Sequence, residues 1–203
     1  QFVELTLLNP PYADAQGNTR PFSIASSPRE GKLMFATRMR NTAFKKSLKE
    51  MPIGTEASIE GPFGSFTFPK NTEKKIVILA GGIGITPFRS MVKHAAETKA
   101  PHKIFLFYSN REQSGAPFLK ELRILENENM NYKFIPTMTG DSVQWSGERG
   151  YISKEMVLKY IDKLELPTYY IAGPQAFVAA MFQILKLAGV DEDNIHTEEF
   201  PGY

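Results

Sequence analysis

Apolar and polar positions along this chain keep two different rhythms, and the change falls near Asn71 to Glu73. Before it come short runs rich in alternating or aromatic residues: Phe2 to Leu8, Phe22 to Ala25, Lys32 to Met39, Glu56 to Glu60 and Phe66 to Phe68. Turn residues separate them at Asn9-Pro10-Pro11, Gln16-Gly17-Asn18 and Gly61-Pro62-Phe63-Gly64, a rhythm that predicts a small antiparallel barrel. One helix interrupts it, capped by Thr42, with Phe44 and Leu48 four apart and Pro52 just past its end. From residue 74 the pattern turns to strands near 76–80, 103–109, 132–138, 169–172 and 194–199, alternating with helices near 87–97, 117–126, 154–163 and 175–188. Such alternation predicts a parallel sheet covered on both faces, with ligands at the carboxyl ends of its strands. The expected fold is therefore two-domain, an antiparallel β-barrel over residues 1–72 and a parallel-sheet α/β domain over residues 73–203.

The densest signal opens the second half. Residues 76–80 form an apolar run, Gly81, Gly82 and Gly84 allow a tight turn, and Thr86 with Pro87 reads as an N-cap followed by a first helical residue. Phe88, Met91, Val92, Ala95 and Ala96 continue at helical spacing, so the free N–H groups of a helix start would face whatever lies over the glycines. A pyrophosphate suits that position, although a glycine cluster alone is also what a plain strand-to-helix turn requires. The third glycine of G-x-G-x-x-G and the G-K-[ST] of a P-loop are both absent, and the next strand ends in Ser109-Asn110-Arg111 rather than in a ribose-binding acid. Tyr169-Tyr170-Ile171-Ala172-Gly173-Pro174 repeats the device before a helix that Gly189 stops. Two glycine-lined strand ends in one sheet suggest an extended ligand lying across them.

Charge and composition narrow the function. Lys and Arg number 24 against 22 Asp and Glu, a balance that gives no electrostatic case for a nucleic-acid partner. Cysteine is absent, which excludes disulfides, thiolate metal sites and a cysteine nucleophile in this sequence. His94, His102 and His196 lack metal-ligand spacing, so no metal is expected. No apolar run reaches the roughly 18 residues of a membrane span and no signal-peptide pattern opens the chain, so a cytoplasmic protein is expected.

The motifs together, in this order, resemble the ferredoxin–NADP reductase superfamily, in which a flavin-binding barrel precedes a nicotinamide-nucleotide domain. Arg20-Pro21-Phe22-Ser23 is similar to the family's R-x-Y-S flavin motif. The resemblance implies that Arg20 pairs with flavin phosphate, Phe22 packs on the isoalloxazine and Ser23 hydrogen-bonds near its reactive nitrogen. It likewise assigns Arg38 to a second phosphate contact and the helix from Thr42, with Phe44 and Lys45, to the flavin pyrophosphate, which implies FAD. Gly81-Gly82-Ile83-Gly84-Ile85-Thr86-Pro87 resembles the family's G-G-x-G-x-T-P loop, and Ala172-Gly173-Pro174 its C-G-P segment with alanine for cysteine. His196-Thr197-Glu198-Glu199-Phe200 resembles the terminal segment, making Glu198 a proton-relay residue beside Ser23 and either Phe200 or Tyr203 the ring that covers the flavin. Gln1-Phe2-Val3 resembles a strand that follows an earlier barrel strand in the family, so a first strand is expected to be missing.

These resemblances imply a flavoprotein oxidoreductase passing a hydride from NADPH or NADH to FAD, and electrons onward to a carrier protein (ferredoxin, flavodoxin or haem protein) or a small acceptor. The alternative is a nucleotide-binding regulatory module of the same fold in which transfer has decayed, as the missing cysteine would allow. For the nucleotide, Ser109, Arg111 and the Gly147-Glu148-Arg149-Gly150-Tyr151 segment lie where members read the ribose phosphate, but Met138 and Thr139 replace a serine and an arginine there. Glu112 and Asp141 add repulsion, so a modest NADPH preference at most is expected, with NADH still used.

Overall fold

The computed structural model describes residues 1–141 and 144–200. Among them, β1 (Phe2–Leu7), β2 (Thr19–Ser23) and β3 (Ala57–Phe63) form an antiparallel sheet with β1 in the middle. Alternation along β1 turns Val3, Leu5 and Leu7 inward, where they meet Phe22 and Phe44 in a small core. Phe44 arrives on α1 (Ala43–Glu50), whose start is fixed by the Thr42 hydroxyl accepting from the Lys45 amide at 3.3 Å. Ser47, fully buried on the same helix, donates to the Tyr12 carbonyl and accepts from the Tyr12 amide, both at 3.1 Å.

The second sheet has six parallel strands in the order β7-β6-β5-β4-β8-β9. They are β4 (Ile76–Gly81), β5 (Ile104–Asn110), β6 (Tyr132–Met138), β7 (Glu148–Arg149), β8 (Thr168–Gly173) and β9 (Ile195–Glu199). Four helices cover it: α2 (Ile85–Glu97), α3 (Leu119–Glu128), α4 (Lys154–Leu158) and α5 (Gln175–Leu187). Ile76, Ile78 and Ala80 of β4 pack with Phe88 and Val92 of α2, while Val77 and Leu79 face Val178, Met181 and Leu185 of α5. Strand order runs outward in both directions from β4 and β8, so the crevice at their carboxyl ends is the switch point where α/β sheets hold ligands.

Several expectations need correcting. Residues 32–39 form no strand: Leu33 and Met39 are exposed. The segment is held instead through Met34, whose carbonyl accepts from the Ala25 amide at 2.8 Å and whose amide donates to the Ser26 hydroxyl at 3.0 Å. Phe66 and Phe68 are not strand residues either. Their rings lodge against the parallel sheet, 5.3 and 5.7 Å from the Tyr170 ring, so an aromatic pair with the composition of β-structure joins the two sheets. Thr86 is not an N-cap: a 3₁₀ turn over Gly82–Gly84 precedes α2, Gly84 caps it without a side chain, and the Thr86 hydroxyl donates to the Ile83 carbonyl at 2.7 Å. The two-residue β7 is too short to leave a periodic signal, and α4 stops at Leu158 rather than near 163. Gly189, at φ +82°, does end α5 as its position predicts.

The sheets are also joined by charge. Arg89 of α2 is 3 % exposed and pairs with Glu30 of the first region and Glu121 of α3. Hydrogen bonding to Arg89 holds the Glu30 carboxyl well below the usual carboxylate range, at about 2. A depressed folded-state pKa stabilises fully above the unfolded value of 4.5 and is lost as pH falls through the folded one. Unfolding free energy is therefore expected to fall between about pH 4.5 and 2 by about 2–3 kcal/mol more in wild type than in Glu30→Gln, seen as a steeper drop in thermal midpoint. Parallel titrations of the two proteins would refute this.

Candidate functional site

A cleft of about 610 Å³ lies between the two sheets. Its first wall carries Arg20, Phe22 and Ser23 from β2, then Arg38, Thr42, Phe44 and Lys45; the opposite wall carries Ile83, Glu198 and Phe200. The two walls touch where the buried Ser23 hydroxyl donates to the Glu198 carboxylate at 2.9 Å. Glu198 is brought there by β9, which pairs it with Ala172 of β8, and the Phe200 amide continues the link by donating to the Gly173 carbonyl at 3.0 Å. Tyr203 lies outside the described residues.

At the outer end of the cleft the start of α1 meets three cations. Its first turn holds no acid, Arg38 and Lys45 line the wall as the sequence suggests, and Arg40, which no motif singles out, joins them. The i, i+2 spacing of Arg38 and Arg40 is the available signal, since alternate residues of an extended segment share a side. The Lys45 ammonium donates to the Arg38 carbonyl at 2.5 Å, and burial, then Arg40, pushes its pKa down. Helix amides plus a cluster of cations make a site for a di-anion.

Phe22 and Arg20 sit differently from the simplest expectation. Phe22 is 8 % exposed, with Phe35 and Phe44 at 5.8 and 5.9 Å, so its ring is largely core and forms a floor to the cleft. The Arg20 guanidinium stands over the Phe44 ring at 5.2 Å and donates to the Gln16, Gly17 and Thr19 carbonyls at 2.7–3.1 Å. Its other contacts, to the Gln16 side-chain oxygen at 3.2 Å and to Asp14 at 3.8 Å, are also made to its own loop.

Beyond the cleft the carboxyl ends of β4 and β8 come together. A side chain on Gly84 would stand 2.3 Å from the Ala172 carbonyl oxygen, and one on Gly81 or Gly173 would run into the Phe177 ring at 2.8 or 2.9 Å. Gly82 adopts φ +55°, a conformation that favours glycine. Gly84 carries no side-chain cap; the Ile85 amide that follows donates back to the Gly82 and Ile83 carbonyls, and Pro87 has no N–H, so it is the glycine-lined 3₁₀ turn ahead of α2 that faces the crevice. Pro87 does not reach the cleft; it lines a separate cavity of about 840 Å³ beneath the 24–33 segment. Pro174 caps α5. Further along the sheet, Ser109 is buried and Arg111 exposed; between them Asn110 is 5 % exposed and neither side-chain polar atom has a hydrogen-bond partner. Asn110 is therefore a buried polar residue at a strand end that the motifs pass over, although a polar residue closing an apolar strand is visible in the sequence.

The oxidoreductase NAD-binding domain model matches residues 78–183, just over half of the chain. The chain belongs to that family. With its two-sheet architecture it falls in the ferredoxin–NADP reductase superfamily, as the motif resemblance implies. One subunit of the Na(+)-translocating NADH-quinone reductase of Pseudoalteromonas atlantica is 30 % identical over 185 residues, 88 % of this chain and 44 % of that protein. Among solved structures, the ferredoxin reductase in carbazole 1,9a-dioxygenase superposes with TM-score 0.80 at 25 % identity, over 98 % of this chain and 59 % of that one. A ferredoxin NADP+ reductase from Neisseria gonorrhoeae with bound FAD and NADP superposes with TM-score 0.74 at 21 % identity, covering 98 % and 85 % of the two chains. The chain spans about half the length of the curated relatives it matches.

Proposed function

We propose that this family member is an FAD-dependent NAD(P)H oxidoreductase that delivers electrons to a separate carrier, a ferredoxin, flavodoxin or haem protein, or to a small acceptor. In this reading residues 1–72 are the flavin-binding barrel domain and residues 73–203 the nucleotide domain. The observation that carries it is the Ser23–Glu198 hydrogen bond, which puts a proton-handling pair between the flavin-type motif and the glycine-lined strand ends. The donor set fits FAD: an acid-free helix start with Arg38, Arg40 and Lys45 suits a pyrophosphate, and Phe22, Phe44 and Phe200 supply flat apolar surface beside it. When bound, FAD supplies the ring that takes up a hydride and releases its two electrons singly.

The chain's own residues do the rest. Gly81, Gly82 and Gly84 let the nucleotide backbone approach the 3₁₀ turn ahead of α2 and the positive end of that helix, and Gly173 clears the floor beside them. Ser23 donates to the Glu198 carboxylate; once Glu198 takes a proton from solvent it can pass that proton to Oγ as the hydroxyl gives its own proton into the cleft, which returns the pair to its starting state. Phe200 shields this edge from water. No helix among the described residues is long and apolar enough to cross a membrane, and the cytoplasmic setting expected from the sequence rests on the sequence alone.

FAD-loaded protein is expected to be yellow and to bleach anaerobically with NADH, and heat-released cofactor should run as FAD. Release of FMN alone would overturn the pyrophosphate assignment. A regulatory module is the second reading, favoured by Ala172 at the strand end and by the engagement of Arg20 with its own loop; bound flavin that neither nucleotide bleaches would establish it. Between nucleotides, Arg111 is the exposed arginine that follows β5, whereas the Arg149 guanidinium has one N–H donated to the Trp145 carbonyl at 2.9 Å, so we take Arg111 as the first candidate phosphate reader. We expect NADH to be used, with kcat/KM for NADPH no more than about tenfold higher, the most one screened charge contact supplies. Loss of any NADPH advantage in Arg111→Ala would identify that contact; a hundredfold preference would refute the assignment.

A further inference from the structure

Arg89 has all five guanidinium protons engaged. Nε donates to Glu121 at 3.0 Å, Nη2 to Glu121 and Glu30 at 2.5 and 2.9 Å, and Nη1 to Glu30 and to the Ala25 carbonyl, both at 2.7 Å. The Phe118 ring lies over its face at 5.3 Å. A surface ion pair needs none of this. Arg89 stands one turn of α2 beyond Thr86 of the nucleotide loop, and Ala25 stands two residues beyond Ser23. The Ala25 amide is fixed as well, by donation to the Met34 carbonyl at 2.8 Å. One buried side chain thus ties the strand that carries the proton-handling serine to the helix that carries the cradle.

We propose that Arg89, held by Glu30 and Glu121, is a positioning residue for hydride transfer: it sets the distance and angle between the two cofactor cradles without touching either cofactor. The inference rests on the oxidoreductase reading above. Neighbouring contacts run along the same helix, with the Ser90 hydroxyl donating to the Ser26 carbonyl at 2.7 Å and Arg29 to the Glu97 carbonyl at 3.1 Å. Arg89 is the member nearest the cradle and the one that reaches Ala25, so it governs alignment where the others govern attachment. Geometry is what hydride transfer is most sensitive to, because small misplacements of reacting atoms cost large factors in rate while leaving binding intact. Lysine cannot replace the fork, since one ammonium does not span two carboxylates and a carbonyl.

The test compares full-length, FAD-loaded wild type with Arg89→Lys, Arg89→Met and the milder Glu30→Gln. Leu125→Ala, a buried truncation in α3, serves as a control for stability alone. Anaerobic stopped flow reads flavin bleaching, titration reads retention of FAD and KM for NADH, and hydrogen exchange reads the amides of residues 24–30 with and without FAD. Arg89→Lys and Glu30→Gln are expected to slow bleaching about tenfold and Arg89→Met about a hundredfold. KM and FAD retention should stay within about twofold, and exchange at residues 24–30 should quicken with or without FAD. Leu125→Ala should lower the melting temperature and leave the bleaching rate alone. If Arg89→Met does not fold, the other two variants carry the test. Folded variants that bleach at the wild-type rate, or unchanged exchange at residues 24–30, overturn the positioning role and leave the functional reading standing. A wild type that never bleaches overturns the functional reading, and this inference with it.

Discussion

Gly84→Ala is expected to destabilise the protein by about 3 kcal/mol or more and to abolish productive use of NAD(P)H. The new methyl would stand 2.3 Å from the Ala172 carbonyl oxygen, 2.4 Å from its carbon and 2.6 Å from the Gly173 Cα. All three are backbone atoms of β8, which pairs with β4 at the centre of the sheet, so the clash cannot be relieved by turning a side chain. Either β8 shifts, disturbing the Phe200 link and Glu198 beyond it, or the 3₁₀ turn and α2 move away from β8 and open the proposed nucleotide site. A loss of that size lowers the melting temperature by roughly 6–12 °C in a protein of this length. Gly81→Ala sharpens the argument. Its obstacle is the Phe177 ring, at 2.8 Å, so Phe177→Leu should rescue Gly81→Ala while doing nothing for Gly84→Ala. Gly115→Ala, which meets nothing within 4 Å, should be near neutral. Calorimetry of Gly84→Ala and Gly81→Ala, each with and without Phe177→Leu, and of Gly115→Ala decides it; an unchanged melting temperature in Gly84→Ala would mean that the two strand ends are not in such close contact.

What is legible in the chain follows the reach of the interactions. Strands β4 to β6 and helices α2 and α5 can be read because their apolar periods are local and long. Residues 32–39 carry a similar alternation, yet alternation states only which faces differ, and a strand also requires a neighbour to pair with. Phe66 and Phe68 have the composition of a strand but bury their rings in the other sheet, a use that only the tertiary structure specifies. The glycine-lined turn ahead of α2 is legible even though the cap is not, because the glycines mark the turn while Thr86 satisfies itself on the Ile83 carbonyl. Arg89 is invisible for a different reason: its partners Glu30 and Glu121 lie 59 and 32 residues away, and one arginine among apolar helix positions has no local signature. Ser23 and Glu198, 175 residues apart, are put together by motif resemblance alone, and no feature local to either would join them.

That pair carries the second large effect. Ser23→Ala is expected to slow flavin bleaching by NADH about 10- to 100-fold, the range a hydrogen bond to a charged partner spans, while FAD stays bound. Retention is expected because the proposed pyrophosphate contacts are Arg38, Arg40 and Lys45, which do not hydrogen-bond Ser23. Glu198→Ala should be at least as slow, since it removes the proton route and leaves the buried Ser23 hydroxyl without its acceptor. Because the two side chains are joined by one 2.9 Å hydrogen bond, their effects should not add: the double variant should be no slower than the worse single variant. Conformational damage would instead slow all three while also weakening FAD and NADH binding, so the titrations separate the two explanations. Additive rate losses would show that Ser23 and Glu198 act independently, and wild-type bleaching in Ser23→Ala would remove the hydroxyl from proton handling altogether.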